Sequence, residues 1–271
     1  MTGLGDAPTP RREGTRRDAR GPAPGTSLAS WHRTLRYHLT RGFCTLLTRA
    51  YLRVRLEGLE RYPDGPAVIC FNHLCWVDPF ILAGTLPLRP RLFFFGPREE
   101  DMGSGARNRL MTWTGQAVPY RPGKNDLLEA TRRVRAVFDF GGVLAIAGEG
   151  RIHAHEGELT RLSEGPAYFA LRSGVPLVPL AINGTSWLRF GRTVRIRVGE
   201  PIRPEGRPTR EAVEGLTLRL QADLHALVQG YPDPSVPGPA GRWLTELFNE
   251  WPDGRRPVGP TPGAVGAGGD G

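Results

Sequence analysis

A histidine and an aspartate five positions apart, His73 and Asp78, stand where a short apolar run gives way to a helix-start signal. The run Pro66-Ala67-Val68-Ile69-Cys70-Phe71 comes after Gly65 and reads as a buried strand. Asp78-Pro79 reads as an N-cap and the first helical position. Open α/β sheets place their chemistry at such strand-to-helix turns. Two readings fit these residues. In one, Asp78 only caps the helix, worth about 1 kcal/mol, and His73 is a loop histidine bonded to backbone. In the other, Asp78 holds one imidazole nitrogen and fixes tautomer and orientation. The second nitrogen is then available to take a proton from a hydroxyl, for which an ordinary imidazole pKa of about 6.5 is suited.

Two further strand-like segments end in charged loops. Gln116-Ala117-Val118-Pro119-Tyr120 is closed by Arg121, and Val143-Leu144-Ala145-Ile146-Ala147 runs into Gly148-Glu149-Gly150-Arg151. A single arginine after a strand is ordinarily a solvated end. Taken together, a base and two guanidinium groups suit a substrate that carries both a hydroxyl and a phosphate. Arginine pairs with phosphate bidentately, and Gly148 and Gly150 would let backbone approach a ligand closely.

The elements that must carry these loops are read from periodicity. From Ser27 or Ser30 to Tyr51, Trp31, Leu35, Leu39, Phe43, Leu46, Leu47 and Ala50 recur at helical spacing, with Arg33, Arg36, Arg41 and Arg49 between them. Such a basic amphipathic helix either packs on its own domain or lies in the surface of an anionic bilayer, and one helix can do both. Residues 52–57 alternate apolar and charged, as a strand does. Arg91 to Phe95 and Pro176 to Ile182 are apolar strands, and Thr193 to Val198 alternates. Helices are predicted from Asp78 to about Thr85, around Ser104 to Trp113, from Asn125 or Asp126 to Gly141, from Ser163 to Arg172, and from Thr209 along Val213, Leu216, Leu220, Leu224 and Leu227. A short piece, Trp243 to Phe248, would fold back. Strands alternating with helices predict a single α/β domain, residues 52–230, with a largely parallel central sheet flanked by helices and preceded by the basic amphipathic N-terminal helix (28–51). Residues 231–251 form a C-terminal extension. The basic arm 1–27 and the Gly/Pro-rich tail 252–271 are predicted to be disordered.

The 271-residue chain carries a net charge of +9. Residues 1–61 hold twelve arginines and five acids, which concentrates the excess at one end and suits an anionic partner. Three cysteines, Cys44, Cys70 and Cys75, form neither a disulfide set nor a zinc spacing and fit a reduced compartment. No run of 18 apolar residues and no signal-peptide core is present, so neither a transmembrane helix nor export is expected.

Four blocks, in order over roughly residues 52–200, resemble the glycerolipid acyltransferases of the 1-acylglycerol-3-phosphate acyltransferase type. The family's Asn-His-x-x-x-x-Asp is similar to Asn72-His73-Leu74-Cys75-Trp76-Val77-Asp78. Its glycine with a later arginine is similar to Gly115 through Arg121. Its Phe-Pro-Glu-Gly-Thr-Arg block is similar to Ala147-Gly148-Glu149-Gly150-Arg151-Ile152, with Ala147-Gly148 in place of Phe-Pro and the arginine one place early. Its Val-Pro-x-x-Pro is similar to Val175-Pro176-Leu177-Val178-Pro179. The resemblance implies transfer of a fatty-acyl group from coenzyme A or acyl carrier protein to the hydroxyl of a lysophospholipid, foremost 1-acylglycerol-3-phosphate giving phosphatidic acid. It implies His73 as general base and Asp78 as its orienter, with Arg121 and Arg151 on the phosphate. Asn72, Gly148, Glu149 and Gly150 would shape the loop and the acceptor's place. Neither an acyl-enzyme, a metal nor a further cofactor is expected, and the other histidines, His153 and His155 included, are expected to be exposed bystanders. A lipid substrate and the basic helix together suggest a peripheral protein at the cytoplasmic membrane face.

Three other readings compete. A different lipid could be the acceptor. Cys75 could be a thiol nucleophile activated by His73. The chain could instead be a non-catalytic basic protein docking on membrane or nucleic acid, although its arginines are spread over a helix face and an arm without a recognisable nucleic-acid module.

Overall fold

The two unbroken apolar runs that flank the charged loops become neighbouring central strands. The computed structural model describes residues 30–97, 113–120, 127–247, 249, 251, 256 and 257. β2 (Ala67–Phe71) and β5 (Val143–Ala147) pair in parallel, from Ala67 opposite Val143 to Phe71 opposite Ala147. Strands covered on both faces must be apolar at nearly every position, and these are. On the other side of β2 lies β6 (Leu177–Asn183), also parallel.

Around this trio the sheet has seven strands in the order β1-β7-β6-β2-β5-β3-β4, with β1 (Leu52–Glu57), β3 (Leu92–Pro97), β4 (Ala117–Tyr120) and β7 (Arg192–Val198) completing it. All neighbours are parallel except β6 and β7, which run antiparallel across the Asn183-Gly184 loop. The expected α/β domain with a largely parallel sheet is therefore what the chain forms.

Alternate side chains of the strands feed two cores. On one face Val68, Cys70, Leu144 and Ile146 pack under α3 (Leu127–Asp139), α4 (Gly165–Ser173) and α5 (Arg210–Val228). On the other, Ala67, Ile69, Phe71, Val143 and Ala145 meet Ile81, Leu82 and Leu86 from α2 (Asp78–Thr85) and the residue just after it. Thr209 caps α5, accepting from the Ala212 N–H at 3.2 Å, as expected of the residue before that helix.

α1 (Trp31–Tyr51) packs beside α2, but not through its apolar stripe. Its buried side chains are Tyr37, Thr40, Cys44 and Thr48. Arg41 donates to the carbonyls of Ala83 (2.7 Å) and Leu86, and Thr45 to that of Gly84 at 2.8 Å. Polar groups thus satisfy the orphan carbonyls at the end of α2, which lets a mixed face dock. The stripe is left outside: Leu35 is 49% exposed, Phe43 57%, and Trp31 and Leu46 67%. One face of the helix packs on the domain, and a different, apolar face is turned away from it.

The C-terminal extension carries α6 (Pro239–Glu246) and does fold back. Arg256 and Pro257 also have defined places, although the tail from 252 was expected to be disordered. The arm 1–27, most of the Ser104–Trp113 helix, the caps Asn125 and Asp126, and Phe248 lie outside the described residues. No described helix is long and apolar enough to cross a membrane.

Candidate active site

β2 ends at Phe71, and the next side chain anchors the turn beyond it. Asn72 donates from Nδ2 to the carbonyl of Ile182 at 2.9 Å and accepts the Ile182 N–H on Oδ1 at 2.8 Å. It thereby extends the β2–β6 ladder by one step with side-chain atoms and aims His73 off the sheet. Asn72 is fully buried, so it positions the loop and does not meet an acceptor directly.

His73 and Asp78 come together. Nδ1 of His73 is 3.0 Å from Oδ2 of Asp78, and the same oxygen accepts the N–H groups of Leu74 and Cys75, each at 2.8 Å. The aspartate is wholly buried, whereas the histidine side chain is 17% exposed. No hydrogen bond to another described residue engages Nε2. The helix-cap reading is corrected: Val77 is the N-cap of α2, Asp78 is its first residue, and its carboxylate turns back into the preceding turn. Three donors converging on one oxygen fix the turn, because each is otherwise an unsatisfied buried group.

The loop after β5 supplies the wall. Glu149, its side chain fully buried, accepts on Oε1 from the N–H (2.6 Å) and hydroxyl (3.0 Å) of Thr160. Its Oε2 accepts the backbone N–H of His73 at 3.2 Å and lies 2.8 Å from Nε2 of His153. The N–H of His153 in turn donates to the carbonyl of His73 at 3.0 Å. Glu149 is thus a brace for the histidine loop. Gly148 is a packing glycine, since a Cβ there would fall 2.5 Å from Cys70 Sγ and 2.7 Å from Leu162 Cδ2, and its N–H and carbonyl are bonded to Phe71 and Ser163. Gly150 has φ +67°, and a Cβ there would meet open space, so its absence of side chain serves the turn itself.

The expectation that His153 and His155 are exposed is overturned for His153, while His155 is partly exposed. His153 is 2% exposed. Burial works against a charged ring, yet Glu149, helped by Glu156 and Glu158, outweighs it and holds the pKa above the usual 6.5. His155 bonds through Nδ1 to Asp233 Oδ2 at 2.8 Å. Glu156 was missed altogether. It is buried and accepts the N–H groups of Gly184 and Ser186 at 2.8–3.0 Å and the Asn183 amide at 3.2 Å, while burial lifts its pKa above 4.5. Nothing local marks Glu156; only the arrival of the β6–β7 loop gives it partners.

Of the two arginines expected at a phosphate, Arg151 is exposed on the β5 loop, and Arg121 lies outside the described residues. The thiol reading fares badly. Cys75 is fully buried beside Asp78, and burial, with that carboxylate, pushes its pKa well above the usual thiol value, so it holds no reactive thiolate.

Residues 53–183 match the family described as Acyltransferase. The matched stretch, 131 of the 271 residues, is acyltransferase-like. The domain is similar to a 1-acyl-sn-glycerol-3-phosphate acyltransferase of Pseudomonas aeruginosa, 24% identical over a match covering 72% of this chain and 80% of that one. Its fold is that of the 1-acyl-sn-glycerophosphate (LPA) acyltransferase PlsC from Thermotoga maritima, with a TM-score of 0.57 and 18% identity over 74% of this chain and 83% of the other. Within the matched residues lie Asn72, His73, Asp78, Glu149 and Arg151, together with the three central strands that present them.

Proposed function

We propose that this acyltransferase moves a fatty-acyl group from coenzyme A or acyl carrier protein to the free hydroxyl of 1-acylglycerol-3-phosphate, making phosphatidic acid. The observation that carries the reading is the 3.0 Å contact of His73 Nδ1 with the buried Asp78 carboxylate at the mouth of the central strand. The carboxylate orients the ring, and Nε2 accepts the hydroxyl proton as that oxygen attacks the thioester carbonyl. A carbon–oxygen bond forms, the carbon–sulfur bond breaks, and the proton passes from Nε2 to the departing thiolate. No covalent enzyme intermediate is required. A positioned base contributes about 10²–10⁴-fold, and holding both substrates in register contributes more. Arg121 and Arg151 take the acceptor's phosphate, Arg151 from the loop that Glu149 braces.

The exposed apolar stripe of α1, flanked by arginines, suits the surface of an anionic bilayer, where both lipid substrate and product reside. The protein then works as a peripheral enzyme at the cytoplasmic membrane face. The purified protein, assayed with lysophosphatidic acid and other lysolipids against acyl donors of graded length on both carriers, tests the reading. Turnover of lysophosphatidic acid that is lost in His73→Ala supports it. Preference for another lysolipid moves the acceptor, and activity that survives His73→Ala removes the mechanism.

A further inference from the structure

Asn249 in the C-terminal extension and Arg256 in the tail beyond it reach the loops that follow β2, β5 and β6. Asn249 Oδ1 accepts the backbone N–H of Trp76, inside the His73–Asp78 turn, at 3.0 Å. Arg256 donates from Nη1 to the carbonyl of Ser186 at 2.6 Å and from Nη2 to that of Ala154 at 2.7 Å. Its guanidinium stacks 3.7 Å from the ring centre of Trp187 and 5.6 Å from that of Trp251. These contacts fall on the loops after β2, β5 and β6, which are adjacent parallel strands with their C-terminal ends at one edge. Ala154 is next to His153, whose N–H holds the carbonyl of His73.

We infer that Arg256 and Asn249 are positioning residues for His73, the arginine clamping the β5 loop to the β6 loop and the asparagine holding the turn from its far side. The inference rests on the proposed role of His73 as base. The planar fork of arginine reaches two carbonyls from different loops at once, whereas an ammonium reaches one geometry at a time. Neither residue touches the reacting atoms. Loosening either lets the imidazole drift from its working orientation, and a displacement near 1 Å costs about 10²-fold in rate.

The test uses the full-length protein with Arg256→Ala, Arg256→Lys and Asn249→Ala, each below its own unfolding temperature. Steady-state kinetics are read beside the downfield ring-proton resonance of His73 in protein labelled with ¹⁵N-histidine. Expected are a fall in kcat of about 10–100-fold with KM for both substrates within about twofold, and faster solvent exchange of that proton in all three variants. Added guanidinium restores part of the rate to Arg256→Ala alone. Should Arg256→Ala fail to fold, Asn249→Ala decides, because it removes one side-chain acceptor. Unchanged kcat and exchange in Asn249→Ala overturn the inference, as does a loss in Arg256→Ala confined to KM. The resonance needs no substrate. A changed resonance in a protein without lysolipid activity refutes the proposed reaction and leaves the clamp standing.

Discussion

Glu149 and His73 are joined twice. Glu149 accepts the backbone N–H of His73, and the His153 ring that Glu149 holds at 2.8 Å belongs to a residue whose own N–H donates to the His73 carbonyl. The backbone on both sides of the His73 side chain is therefore set by the loop of a different strand. A residue in the third sequence block thereby governs the orientation of one in the first.

Replacing His73 by alanine should lower kcat by about 10²–10⁴-fold with little change in substrate KM. Asp78→Asn should show a loss of similar kind. The amide keeps an oxygen for the N–H groups of Leu74 and Cys75 but no longer stabilises an imidazolium. Steady-state kinetics on variants with unchanged circular dichroism check both.

Glu149→Ala should destabilise the fold by about 3 kcal/mol, since it strips partners from Thr160, from the His73 N–H and from the buried His153 ring. Urea unfolding measures the loss. A variant as stable as the parent would show that Glu149 does not brace the loop.

Stability should fall as pH rises above 6.5. His153 has a folded pKa raised above 6.5, so its pair with Glu149 contributes fully below that value and is lost as pH climbs through the raised folded value. Glu156, also raised, acts in the same sense from 4.5 upward. Urea midpoints at successive pH values should decline over the window above 6.5, and His153→Gln should flatten that part of the curve.

Cys75→Ala should keep its activity, and native Cys75 should resist thiol reagents, because the side chain is fully buried with its pKa raised. The expected cost is about 1 kcal/mol of stability. Loss of turnover with an unchanged fold would return the thiol to the mechanism.

Leu39→Glu combined with Phe43→Glu should abolish sedimentation with anionic vesicles while leaving the unfolding temperature within about 2 °C, since surface changes alter stability by only a few tenths of a kcal/mol. Both residues are more than half exposed. Undiminished pelleting would assign vesicle binding to another surface.

Much of the sheet was legible because its strands are short apolar runs between turn signals, and β2, β5 and β6 stand within a residue or so of where the pattern places them. The pairing of His73 with Asp78 was legible for a related reason. Five residues of a strand-to-helix turn bring both side chains within reach of each other, and the loop after β5 then sets the ring's orientation. The cap reading failed on the same residues, since the Asp78 carboxylate finds two N–H donors and an imidazole behind it that offer more than the helix end ahead.

Local pattern alone settled the element types and the parallel character of the sheet, and offered the histidine–aspartate pair as one of two readings, because periodicity and turn chemistry act between near neighbours. Which side of α1 meets the domain, why His153 is buried, what satisfies Glu156 and where Arg256 docks were decided only in three dimensions. Each depends on partners 4 to 102 positions away, in sequence terms from Glu149 beside His153 to Ala154 facing Arg256. Buried polar groups take whichever partner packing delivers, and one amphipathic helix has two faces that an isolated stripe cannot tell apart.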